Sequence, residues 1–304
     1  MSRILVTGAS GFVGRPLVTA LLENGHSLRA TYRTAAGAPP NVDARVVTDL
    51  GGAVDWAALL DGVDAVVHLA GIAHIGPGIP EAEYRRVNGD ATAALANAAA
   101  SAGVKHVVFM SSIRAQCGPS AAAVLTETSR AEPSDAYGRA KLAAEAAVRD
   151  SGVTYTILRP VLIYGPNVKG NLAALMRLAA LPMPLPLAAL SGRRSLVGID
   201  NLIGAVLHSL TTPACGNETF IVADPDAVTL PQIIAIWRRA AGRGPGLFDV
   251  PPRLIKTAFQ IIGRGDLWER IDGRLEASSA KLAATGWRPA VDTPGGLAAM
   301  VAAR

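Results

Sequence analysis

The sequence predicts an α/β fold, a doubly wound parallel sheet with a smaller carboxy-terminal lobe, and three observations carry the prediction. The chain opens on an apolar run, Ile4, Leu5 and Val6, that passes through the glycine-spaced segment TGASGFVG (7–14) into a helical pattern at 12–23. Short apolar runs then alternate with longer alanine-rich helical stretches through the first half of the chain. Strands joined by helical crossovers pair in parallel and carry helices on both faces. Half of the 304 residues are apolar, enough to bury a substantial core.

Taken in order, the later strands are expected at 28–31, 45–47, 65–69, 107–110 and 154–158, with helices including 81–102 and 134–150 between them. Ligands of such a sheet bind at the carboxyl ends of its strands. Past Tyr164, Gly165 and Pro166 the alternation fails, and proline-rich and Gly/Arg-rich stretches separate shorter helices. The expected division is therefore a dinucleotide-binding domain at 1–166 and a substrate-binding lobe at 167–304.

Composition excludes several classes. The net charge of +5 is modest, and there is no Lys/Arg run and little aromatic interleaving, so nucleic-acid binding is not expected. Cys117 and Cys215 lie far apart without metal-ligand spacing and read as free thiols of a reducing compartment; no metal site is expected. The first strand begins almost at Met1, which leaves no room for a charged region and an apolar stretch, so a cytoplasmic location is expected. Arg177 and Pro182, Pro184 and Pro186 interrupt the apolar segment 172–190, which argues against a membrane span.

Two motifs point to chemistry. In TGASGFVG, Gly8 permits a tight turn, Gly11 lets backbone amides approach a pyrophosphate, and Gly14 allows close packing of helix on strand. Tyr137 and Lys141, in PSDAYGRAKLAAE, sit four residues apart on one helix face. A nearby ammonium favours phenolate, which makes the pair a candidate proton-transfer device.

Together these motifs resemble the short-chain dehydrogenase/reductase superfamily, in its extended branch of NAD-dependent epimerases and dehydratases acting on nucleotide sugars. The resemblance is strong over 2–166 and looser afterwards, where VLIYGPNVKGN and RRSLVGIDNL still fit. It implies a Rossmann-type sheet to which 196–223 returns, and a Tyr-Lys-Ser catalytic group of Tyr137, Lys141 and a serine after the fifth strand. Ser112 is preferred over Ser111; the segment SSIRAQCG is one residue longer than the usual SSxxVYG and has Cys117 in place of its Tyr. Lys141 would also bind the nicotinamide ribose, and Asn88 would flank the active site in a supporting role.

For the cofactor, the resemblance assigns the turn residues Gly8, Ser10, Gly11, Phe12, Val13 and Gly14. It adds Asp49 and Leu50 around the adenine, Leu69, Ala70 and Gly71 of the HLAG run along the cleft, and Pro160. His68 in that run reads as a packed strand residue. Selectivity is set at the end of the second strand, where a carboxylate favours NAD; here Tyr32 takes that position and Arg33 follows, a lean toward NADP. Asn171 and Arg194, with Arg193 as a neighbour, match substrate-diphosphate positions.

The function implied is an NAD(P)-dependent oxidoreductase working at C4 of a UDP-hexose, either a 4-keto-sugar reductase, slightly favoured, or a 4-epimerase. A homodimer through helices 81–102 and 134–150 is common in the family. The alternatives are a non-catalytic NADP-sensing protein and a dehydratase. A dehydratase needs a further acid/base pair where Ile113 and Arg114 stand.

Overall fold

Seven parallel strands in the order β10-β6-β5-β4-β1-β2-β3 form the central sheet of the computed structural model. The structure describes residues 2–34, 37–72, 78–261, 263 and 265–302. The sheet strands are β1 (Arg3–Thr7), β2 (Ser27–Tyr32), β3 (Asp43–Val46), β4 (Ala65–His68), β5 (His106–Met110), β6 (Tyr155–Pro160) and β10 (Glu218–Val222). Two shorter pairings use β7 (Leu162–Tyr164), β8 (Arg193–Arg194), β9 (Leu196–Gly198) and β11 (Val228–Thr229). β7 pairs in parallel with β9, and β8 antiparallel with β11.

Alternation along the strands sorts the helices onto two faces, because successive strand side chains point to opposite sides. Ile4 and Val6 face α1 (Gly14–Glu23) and α7 (Ile199–Thr211) through Leu17, Val18, Leu202 and Val206. On the other face Leu5, Val66 and Val107 meet Trp56 and Leu60 of α2 (Trp56–Leu60) and Leu95 of α4 (Ala91–Ser101). Phe109 and Ile157 meet Ala144 and Val148 of α5 (Ala136–Asp150) on that side.

A second core holds the lobe together. Tyr164, Leu172, Met176, Leu196, Trp237 and Leu297 draw α6 (Gly170–Ala180), α8 (Leu230–Ala240) and the carboxy-terminal α12 (Thr293–Ala302) around β7 and β9. Helices α9 (Pro252–Ile261), α10 (Asp266–Asp272) and α11 (Ala280–Ala284) complete the chain.

Two expectations are corrected. The stretch 81–102 is not one helix: α3 (Glu81–Tyr84) passes through a π-helical turn, Arg85–Asp90, before α4. The wide turn carries Asn88 fully buried, where its amide is consumed by the loop after β4. Segment 196–223 also returns only in part. β10 extends the main sheet beside β6 and α7 packs on it, but β9 pairs outside that sheet with β7.

Candidate active site

The turn after β1 is built so that nothing but glycine fits at two of its corners. Gly8 has φ +73°, and a Cβ there would lie 2.8 Å from the backbone nitrogen of Ala70. A Cβ on Gly14 would overlap the Gly8 carbonyl oxygen, so helix and turn are in contact at that residue. Gly11 donates its amide back to Gly8 O at 3.0 Å. Val13 starts α1 without a side-chain cap, and the first helical turn holds no acid. Uncapped amides at a helix start facing a glycine cradle suit a pyrophosphate. The residues present therefore fit a dinucleotide.

At the end of β4, Thr7 and His68 fix the neighbouring backbone. Thr92 Oγ1 donates to Asn88 O at 2.7 Å, so it accepts from His68 Nε2 at 3.0 Å; Thr7 Oγ1 then donates to Nδ1 at 2.7 Å. Burial pushes the imidazole down to about 3, with the Lys141 charge acting the same way, so His68 is a neutral strut. Ala70 donates its amide to Thr7 Oγ1 at 3.2 Å. Asn88 clamps the next residue at both ends of its amide, accepting from Ile72 N at 2.7 Å and donating to Ile72 O at 3.0 Å. A Cβ on Gly71 would come within 2.6 Å of Asn88 Oδ1 and 3.7 Å of Lys141 Nζ. Asn88 thus positions the loop; its amide is committed to Ile72.

The two serines after β5 have separate fates. Ser111 is buried and donates to Glu145 Oε1 at 2.6 Å. That carboxylate is itself fully buried and held by Arg159 at 2.8 and 2.6 Å and by Arg149 at 2.9 Å. Ser112 is half-buried, begins the short helix Ile113–Ala115, and lies near enough to Tyr137 for its hydroxyl to lower the phenol. Tyr137, Lys141 and Glu145 follow one another at four-residue steps along the inward face of α5.

The Lys141 ammonium donates to the Met110 carbonyl at 2.9 Å and lies 4.7 Å from the Phe109 ring centre. Burial pulls it down to about 8, opposed by Glu145. The Tyr137 phenol is pushed up by burial; Ser112 and Arg114 lower it, while Asp135 and Tyr84 raise it. Same-face spacing brings the two side chains to one region, and the carbonyl at the strand end anchors the ammonium there.

The remaining cofactor positions divide. Tyr32 is buried in the core beneath α1 and brings no carboxylate to the ribose position, whereas Arg33 is exposed beyond the strand end. Asp49 pairs with Arg86 at 2.8 Å, which holds its carboxyl below the usual range, and Leu50 packs partly buried beside it. Ser10 lies exposed on the turn, Phe12 packs partly buried against the main core, Leu69 and Ala70 line the step from β4, and Pro160 ends β6.

On the lobe side the two substrate positions separate. Asn171 is exposed in the first turn of α6. Arg194 is drawn toward the catalytic segment, with its guanidinium donating to the Glu269 carbonyl and its buried Nε without a protein partner among the described residues. Burial lowers it, and so does the like charge of Arg114. Arg193 pairs instead with Glu276 at 3.2 Å. Sequence reasoning missed Glu145 and the Arg114–Asp135 pair. Glu145 stands four residues after Lys141, a spacing that could have exposed it; Arg114 and Asp135 are joined only by the fold.

A glycine cradle at a strand-helix junction, with a serine after β5 and a tyrosine and a lysine on α5, defines a dinucleotide-dependent oxidoreductase class. Residues 4–223 match the family described as NAD dependent epimerase/dehydratase. A UDP-glucose 4-epimerase of Vibrio cholerae is 32% identical over 298 residues, covering 94% of this chain and 90% of that one. A ceramide reductase of Caulobacter vibrioides is 29% identical, covering 94% and 86%. The crystal structure of a UDP-glucuronic acid 4-epimerase from Bacillus cereus in complex with NAD superposes with a TM-score of 0.79 over 99% of this chain and 96% of that one, at 20% identity. The chain belongs to the NAD-dependent epimerase/dehydratase family and is an enzyme of the extended short-chain dehydrogenase/reductase type.

Proposed function

We propose that the protein is a nucleotide-sugar 4-epimerase, with Tyr137, Ser112 and Lys141 as its catalytic group. The observation that carries the reading is the meeting of Tyr137 with Ser112, whose hydroxyl lowers the phenol, and with the buried Lys141 one turn along α5, whose ammonium lies 3.7 Å from where a Cβ on Gly71 would stand. The name of the Vibrio relative supports the reaction type.

In this reading Tyr137 moves a proton to and from the O4 oxygen, and Ser112 hydrogen-bonds and polarises that oxygen. Lys141, held by the Met110 carbonyl, offers its remaining N–H groups to ribose hydroxyls. The nicotinamide, when bound, accepts and returns hydride at C4. Gly8, Gly11 and Gly14 leave room for the pyrophosphate at the start of α1, and this reading assigns Arg194 to the substrate diphosphate.

A second reading, a 4-keto-sugar reductase using NADP, is favoured by one observation. Tyr32 supplies no carboxylate and Arg33 is the exposed cation at the strand end. An epimerase keeps its dinucleotide through turnover, whereas a reductase exchanges it. Extracting and quantifying any dinucleotide from purified protein, then following UDP-glucose and UDP-N-acetylglucosamine by NMR, tests both. Inversion at C4 without added cofactor supports the epimerase; stoichiometric loss of nicotinamide absorbance with a 4-keto sugar supports the reductase.

A further inference from the structure

Arg114 and Asp135 take no part in the chemistry assigned above, yet they join the two segments on which it depends. Ser112 leads into the short helix Ile113–Ala115, and its hydroxyl accepts from Arg114 N at 3.2 Å. The Arg114 guanidinium pairs with Oδ2 of Asp135. The other oxygen of the same carboxylate accepts from Gly138 N at 2.7 Å and so caps α5 at the turn that bears Tyr137. Gly138 closes the gap from the opposite side, since a Cβ there would overlap the Arg114 carbonyl oxygen. The Tyr137 phenol completes the circuit beside Ser112, whose hydroxyl lowers it.

We propose that Arg114 and Asp135 are positioning residues for proton transfer: their ion pair holds the helix bearing Tyr137 against the segment bearing Ser112, and its two charges balance each other at the phenol. The inference rests on Tyr137 being the proton-transfer group.

The side chains of the pair are only 19% and 22% exposed, so solvent screens them weakly. The groups that face the phenol are Ser112 and Arg114 from the segment after β5, Asp135 at the start of α5 and Tyr84 from α3. Lys141 lies one turn further along α5, and Arg194 of β8 faces Arg114 from the lobe. Asp135 favours the protonated phenol and Arg114 the ionised one. Removing either partner leaves the other unopposed, so the two losses act on Tyr137 in opposite directions.

The test is the pH dependence of kcat/KM for wild type, Arg114→Met, Arg114→Lys, Asp135→Asn and Tyr137→Phe. Asparagine caps a helix as well as aspartate, so Asp135→Asn removes the charge while keeping the start of α5. The ionisation that Tyr137→Phe abolishes should move up by about one pH unit in Arg114→Met and down by about one in Asp135→Asn. In both, kcat should fall roughly tenfold to hundredfold while KM changes little. Arg114→Lys should restore most of the wild-type profile, because one N–H makes the link.

Shifts of the same sign in both variants, or no shift in folded protein, overturn the inference. If Arg114→Met does not fold, the direction of the Asp135→Asn shift decides alone. A Tyr137→Phe enzyme with a normal profile sinks the catalytic assignment as well; a lost profile with immobile variants sinks only the positioning role.

Discussion

Tyr137 stands where burial raises its pKa and a serine hydroxyl lowers it, so its function is sensitive to single atoms. Tyr137→Phe removes only the transferable proton, and turnover should fall by about a hundredfold or more with dinucleotide affinity retained. The serines should separate cleanly. Ser112→Ala should lose activity in a stable protein, whereas Ser111→Ala should cost roughly 1 to 3 kcal/mol of stability, because it strips a buried donor from Glu145. Steady-state kinetics beside thermal denaturation distinguishes the two; a larger activity loss in Ser111→Ala would reverse the assignment.

His68 supplies a pH dependence of known sign. Its folded value of about 3 lies below the ordinary 6.5, so the unfolded chain binds the proton first as pH falls. Stability is complete above pH 6.5 and is lost on acidification toward pH 3, by about 1.4 kcal/mol per pH unit at most. Denaturant titrations from pH 7 to 4 should show this slope, and His68→Gln should flatten it.

At the scale of elements, the sequence showed what is local and hid what is not. The glycine turn, the strand positions and the Tyr137/Lys141 face were legible because each is set by spacing within one segment. The π-helical turn was not: its Asn88 is partnered by the Ile72 backbone of the loop after β4, sixteen positions upstream in the chain, a contact that spacing within one segment does not reveal. Tyr32 was placed at the correct strand end, but which way its ring turns depends on the packing under α1. Asn88→Ala should leave the Ile72 N–H and C=O without partners, costing roughly 1 to 3 kcal/mol per group that stays buried. Gly14→Ala should weaken dinucleotide binding at least about tenfold, because the added methyl drives α1 off the turn. Calorimetric titration against the wild type measures both the affinity and, through melting, the strain.

For the molecule as a whole, a dinucleotide should act as a structural ligand, since the residues proposed to hold it follow β1, β4 and β5. At a hundred times its dissociation constant a dinucleotide adds about 2.7 kcal/mol of stability. Comparing the melting shifts given by NAD and NADP at matched concentrations therefore ranks the two cofactors without any substrate. If Arg33 meets a 2′-phosphate, NADP should give the larger shift, and Arg33→Ala should erase the difference. Equal shifts in the wild type would mean that Arg33 points to solvent.

The position of β10 also governs how the protein can be made. β6 lies between β5 and a partner strand that the ribosome delivers only after residue 218, and Glu127 reaches across to accept from Ile221 N of that same strand at 2.8 Å. Until then the nascent chain presents Thr156, Ile157 and Leu158 along an open backbone edge, the kind of edge that recruits other chains. A fragment ending at residue 166 carries this defect permanently. Expressed alone it should aggregate, and co-expression with the remainder of the chain should rescue it. The two halves of the enzyme are thus separable by eye but not by a protease or a stop codon.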